Sequence, residues 1–205
     1  MSGINKRTFG DYFLPIFLYT LVSLLMCWRV IAQPGEVLNH DWGLPLYPVQ
    51  NMNDFHNLPF AWWDIAGGGS DISSTPVSLY TRLFIYSAGI LGLSGEVVSK
   101  GYLLLPPFLA GIFMFLLCRY VKRSQLSSLM AGVFYMLTPW LFFRLVAGHL
   151  LPAVTYFLFP LIFLLLLKAI ESRTNLEKIK FSLCIALLLV FVDQIFTIIL
   201  CSFLV

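Results

Sequence analysis

The sequence predicts an all-α integral membrane fold of about five transmembrane helices with a long first extracytoplasmic loop that contains an interfacial helix. Three observations predict it. Hydrophobic residues make up 59% of the chain and charged residues only 11%, with a mean hydropathy of +0.86, far from the composition of soluble domains. The apolar residues gather into runs of about 20, the length that crosses roughly 30 Å of hydrocarbon at about 1.5 Å per residue. Lys and Arg fall between these runs so that most collect on one side of the membrane.

The runs lie at about 12–32, 101–120, 127–147, 151–170 and 181–205, within a single transmembrane domain covering 1–205. The first follows Lys6 and Arg7 as a signal peptide would, but its apolar stretch is too long and Arg29 stands near the would-be cleavage site, so it reads as a retained anchor. Counting one crossing per run puts Lys6, Arg7, Arg119, Lys122, Arg123, Lys168, Arg173, Lys178 and Lys180 together, which marks that side, and the N-terminus, as cytoplasmic. Residues 33–100 and the short turn from Arg144 to Leu151 then face outward. The acids of that loop, Glu36, Asp41, Asp54, Asp64, Asp71 and Glu96, outweigh Arg82 and Lys100. The stretch STPVSLYTRLFIYSAGILGLSG is long enough to span, yet a crossing there would break the charge rule; with Arg82 inside it and Gly89, Gly92 and Gly95 dividing it, an interfacial helix or helix pair is expected. Gly and Pro density in 33–76 predicts an irregular packed loop rather than helix or sheet.

Several function classes drop out. The basic residues form no concentrated patch, so no nucleic acid is expected as partner. AGGGSD lacks the Gly-Lys-Ser/Thr ending of a phosphate-cradling loop and reads as a glycine turn. Cys27, Cys118, Cys184 and Cys201 lie in or beside apolar runs and read as small packing residues. Gly111, Gly132 and Gly148 read as helix-contact or turn residues.

Polar chemistry concentrates in the first loop. Asp41 lies about nine residues past the first span, between His40 and Trp42, with Pro45 and Pro48 restricting the backbone behind it. A carboxylate at the membrane boundary suits a general base acting on a bond at headgroup depth. Arg144 and His149 occupy the outer turn between two spans, where an Arg can either make charge-assisted contacts to a lipid phosphate or simply snorkel. Lys100 and Arg82 are weaker candidates for that contact. His40, Asp41, Asp54 and His56 carry metal-ligand groups, but nothing in their spacing fixes a set, so no metal site is assigned and a divalent metal stays an open alternative. Asp193 is a carboxylate within the last apolar run, either functional or paired with a neighbour.

The order of these features resembles the GT-C superfamily of polytopic glycosyltransferases, particularly its bacterial and archaeal YfhO-like members: an anchor, HDWGLPLYP, WWDIAGGGS, a surface helix, basic hairpins, then AGHLLPAVTYFLFPLIFLLLLKAI. The resemblance implies a polyprenyl-phosphate-linked sugar as donor and an essential acid in the first outer loop, which falls on Asp41. His40, Trp42, Arg144 and His149 make up the expected substrate-binding set. Trp42 stands where some members carry a second acid after the first. Members of that superfamily are usually longer, and the chain stops inside an apolar run, so an N-terminal portion or a short relative is expected. Membrane lipid is an expected partner. A second reading is a non-catalytic membrane subunit whose aromatic outer loop docks a partner protein or a missing C-terminal region, and a third is a transporter fragment with Asp193 on its path.

Overall fold

The computed structural model describes residues 10–37, 62–63, 70–71 and 86–189. Within them the chain is helical apart from one short antiparallel pairing. The helices are α1 (Gly10–Ile31), α2 (Gly95–Tyr120), α3 (Gln125–Met136), α4 (Pro139–Val146), α5 (Leu150–Glu171) and α6 (Asn175–Leu189). Four stretches are long and apolar enough to cross a membrane: Asp11–Ile31, Gly95–Tyr120, Gln125–Val146 and Pro152–Glu171.

Each helix end has a local cause. Ser94 accepts a hydrogen bond from Val97 N and opens α2, and Ser124 does the same for Ser127 N at α3. Thr174 Oγ1 accepts from Glu177 N at the start of α6. A short helical turn at 86–90 closes where Gly92, at φ +66°, takes the left-handed conformation, so that Leu93 N reaches Ala88 O and Gly92 N reaches Gly89 O. Ser94 then follows at once as the cap of α2.

Helix α1 buries one narrow stripe, Pro15, Tyr19, Ser23 and Cys27, spaced four apart, and turns Phe13, Phe17, Leu25 and Trp28 outward. An outer surface this apolar fits hydrocarbon as its solvent. Helix α2 is central: it packs on α1, α3 and α5, burying Val98, Tyr102, Leu103, Pro106, Ala110, Gly111 and Phe115. The closest approach is a notch. The Tyr19 ring lies against Gly111 and Gly132, where a Cβ on Gly111 would meet Tyr19 Cγ at 3.0 Å and one on Gly132 would overlap the Tyr19 hydroxyl and stand 2.8 Å from Gly111 O. That hydroxyl donates to Leu129 O at 3.1 Å, which satisfies a phenol that lipid would leave bare. Both glycines therefore act as helix contacts.

Two sets of contacts define the ends of the bundle. At one end, Lys100 Nζ donates to Gln33 O at 2.6 Å and Val37 N to Ser99 Oγ at 3.0 Å, which ties the exit of α1 to the start of α2. At the other, Tyr120 OH donates to Glu171 Oε2 at 2.7 Å, and Lys168 Nζ lies 5.7 Å from the Tyr120 ring. So α2 and α5 run in the same direction, both beginning at the first end. Arg119, Lys122, Arg123 and Arg173 gather at the second end, as the sequence predicts.

Three expectations need correction. The helix that carries the second span begins at Gly95, so residues 95–100, expected in the outer loop, form the head of that helix; their charges pair within it, Glu96 with Lys100 at 2.5 Å. The third span is not one helix. It breaks at Leu137–Thr138 because Pro139 has no N–H to continue the ladder and stands instead at the first position of α4. In the loop, Trp62–Trp63 pairs antiparallel with Ser70–Asp71, where no sheet is expected. The fifth run is described from Asn175 to Leu189, packed on α5; its remainder, with Asp193, lies outside the described residues.

Candidate functional site

The first end of the bundle carries two polar clusters. One is a strap, residues 33–37, laid over the opening turns of α2. Gln33 O and Glu96 Oε1 both accept from Lys100 Nζ, and Val37 N reaches Ser99 Oγ, which itself donates to Glu96 O at 3.1 Å. Gly35 can make the bend because it adopts φ +102°. Lys100 thereby staples the strap to the head of α2. The strap fixes where the chain leaves α1, and hence where the loop toward Asp41 begins. Both carboxylate oxygens of Glu36 are buried here without a hydrogen-bond partner among the described residues. Desolvation raises its carboxyl above the usual glutamate range.

The second cluster is the turn between α4 and α5. Gly148 takes φ +77°, and the helix ends with Gly148 N bonded to Leu145 O at 3.1 Å and His149 N to Arg144 O at 2.9 Å. This pattern reverses the chain around a left-handed glycine. Its chemical result is that His149 folds back onto the residue whose carbonyl it caps. Arg144 Nη1 donates to His149 Nδ1 at 2.9 Å. A guanidinium has donors only, so Nδ1 must be the acceptor and the ring proton sits on Nε2. The Arg144 guanidinium carbon also lies 5.3 Å from the centroid of the Trp140 ring, one helical turn back. Arg144 and His149 are both half-buried.

Beneath the turn lies an aromatic stack. Trp140 stacks on Tyr156 at 5.1 Å and Tyr156 on Tyr135 at 4.3 Å, nearly parallel at 10°. Thr138 Oγ1 stands 2.5 Å from the Tyr156 hydroxyl. The stack joins the break in the third span to α5 and ends under Arg144.

Of the site residues expected from sequence, Arg144 and His149 are brought into direct contact. Asp41, His40 and Trp42 lie outside the described residues, as do Asp54, His56 and Arg82. Among the described residues no group of His, Cys, Asp or Glu is arranged to hold a metal ion. Sequence reasoning missed Trp140, Tyr135 and Tyr156 as supports of the turn, and it counted Glu36 only among the dispersed acids of the loop. The sequence does carry a signal for the tyrosines: each precedes a proline by four residues, in YMLTP and YFLFP. The chain matches no protein-family model, no curated protein and no solved structure.

Proposed function

We propose that this chain is a GT-C-like glycosyltransferase module that transfers a sugar from a polyprenyl-phosphate donor at the outer face of the cell membrane, with its N-terminus and basic end in the cytoplasm. One observation carries the reading: a half-buried arginine, held by His149 and Trp140, stands at the same end of the bundle from which the strap leads toward Asp41. A cation fixed there suits the phosphate of a lipid whose tail lies along the apolar helices.

The chemistry divides between two groups. Asp41 accepts the proton of the acceptor hydroxyl as that oxygen bonds to the anomeric carbon. The bond from that carbon to the phosphate oxygen breaks, and its electron pair leaves on the phosphate, whose charge Arg144 offsets. His149 keeps Arg144 in place; His40 and Trp42 flank the base in sequence.

The test is sugar transfer in proteoliposomes, with labelled polyprenyl-phosphate sugars as donors. Asp41→Asn removes the base while keeping shape, so transfer falls by at least about 100-fold with assembly unchanged. If Asp41→Asn leaves transfer intact, or if no donor supports transfer while substitution of Trp62 and Trp63 abolishes copurification of a partner protein, the enzyme reading fails and the docking subunit replaces it.

A further inference from the structure

We infer that Tyr156 and Trp140 are positioning residues that set the strength of the Arg144 phosphate contact, through a clasp built on two proline-orphaned carbonyls. The inference rests on the phosphate role given to Arg144 above.

The clasp follows from the absence of two N–H groups. Proline cannot donate to the carbonyl four residues earlier, so Pro139 leaves Tyr135 O and Pro160 leaves Tyr156 O without helical donors. In hydrocarbon no water replaces them. Each tyrosine supplies what the other has lost: Tyr135 OH donates to Tyr156 O at 2.9 Å, and Tyr156 OH to Tyr135 O at 2.9 Å. Thr138 Oγ1 adds a bond to Tyr135 O at 2.6 Å. The exchange forces the two rings face to face at 4.3 Å. Tyr156 thus has its backbone, hydroxyl and ring all committed, and swinging its ring would take one of two donors from Tyr135 O and the stacking partner from the Tyr135 ring.

Trp140 takes its place against this fixed ring at 5.1 Å, and Arg144 follows one turn further along α4, its guanidinium 5.3 Å from the Trp140 centroid. His149 holds Nη1. An arginine side chain free to rotate gives up rotamer entropy when it grips a phosphate. A guanidinium already held by an indole and an imidazole gives up less, and the saving appears as affinity. A stack that merely filled space would leave Arg144 just as effective without it.

The experiment uses the full chain in phosphatidylcholine nanodiscs, titrated with farnesyl phosphate, with farnesol and inorganic phosphate as separate arms. Arg144→Gln should abolish the preference for farnesyl phosphate over farnesol. Trp140→Leu should weaken farnesyl phosphate binding by about three- to tenfold, the range of a partly desolvated cation–π contact, and Trp140→Phe should restore most of the loss. Tyr156→Phe, which keeps the ring and removes the hydroxyl, should weaken binding in the same direction. The deciding measurement is the double variant. With Arg144→Gln already present, Trp140→Leu should have no further effect. An equal loss in both backgrounds, or no loss from Trp140→Leu alone, overturns the positioning role while leaving the phosphate role standing. If Arg144→Gln itself changes nothing, the phosphate reading fails and the relay falls with it. Binding of inorganic phosphate as tight as farnesyl phosphate would overturn the lipid source of the ligand. Should Tyr156→Phe fail to fold, the half-buried Trp140 series decides alone.

Discussion

Gly132→Ala probes how the bundle is held together. The added methyl would occupy the space of the Tyr19 hydroxyl and press on Gly111 O from 2.8 Å. Neither neighbour can yield at no cost. Moving the phenol breaks its bond to Leu129 O, about 1 kcal/mol for a buried hydrogen bond and about 0.6 kcal/mol by the average for interhelical bonds in a membrane. Relieving the contact with Gly111 O also parts α2 from α3, at the roughly 1–3 kcal/mol typical of overpacking. Together the loss should be about 2–4 kcal/mol. Reversible unfolding in mixed micelles measures it, with Tyr19→Phe as the control that removes only the hydrogen bond and costs about 1 kcal/mol. In a Tyr19→Ala background the hydroxyl is gone, and Gly132→Ala should cost clearly less, retaining only its contact with the Gly111 carbonyl. An undiminished cost in that background would refute the notch as the reason for the glycine.

Two further outcomes follow from the loop end of the bundle. Gly148→Ala places a Cβ at φ +77° and should destabilise by about 1–2 kcal/mol; because the same turn carries His149 to Arg144, farnesyl phosphate affinity should fall as well, while a variant lowering stability equally elsewhere should leave affinity alone. Glu36 gives a pH dependence. Its folded carboxyl is raised by desolvation, so the native chain binds that proton more tightly than the unfolded chain does; this contribution is full below about pH 4.3, the ordinary glutamate value, and is lost as pH rises through the folded value. Glu36→Gln should therefore raise the apparent Tm at pH 7.5 and leave it unchanged near pH 4, and a destabilised variant at pH 7.5 would contradict the burial of that carboxylate.

The spans were readable because lipid imposes one simple demand, and a run of about 20 apolar residues meets it whatever packs beside it. Boundaries slipped where that demand was met indirectly. Glu96 and Lys100 discourage a span by composition, yet as an i, i+4 pair at 2.5 Å, with the strap accepting from the ammonium, they sit at the head of α2. Pro139 hides inside an apolar run, so hydropathy counts straight through a break that the missing N–H makes unavoidable. Arg144 and His149 stood out by position alone. Their contact depends on a left-handed Gly148, and a glycine near a helix end signals a turn without saying which side chains the turn brings together. The tyrosine clasp was legible in principle, since YMLTP and YFLFP each put the orphaned carbonyl on a residue with a hydroxyl to offer, but only folding pairs one with the other.

The proposed transfer requires a lipid phosphate seated at the turn between α4 and α5. Photocrosslinking with a diazirine-bearing farnesyl phosphate in nanodiscs, followed by mass mapping of the labelled peptides, tests it most directly. Labelling should concentrate in residues 139–156, compete with unlabelled farnesyl phosphate and disappear in Arg144→Gln. Label confined to the basic end around Arg119, Arg123 and Arg173, or spread along every lipid-facing helix without competition, would contradict it.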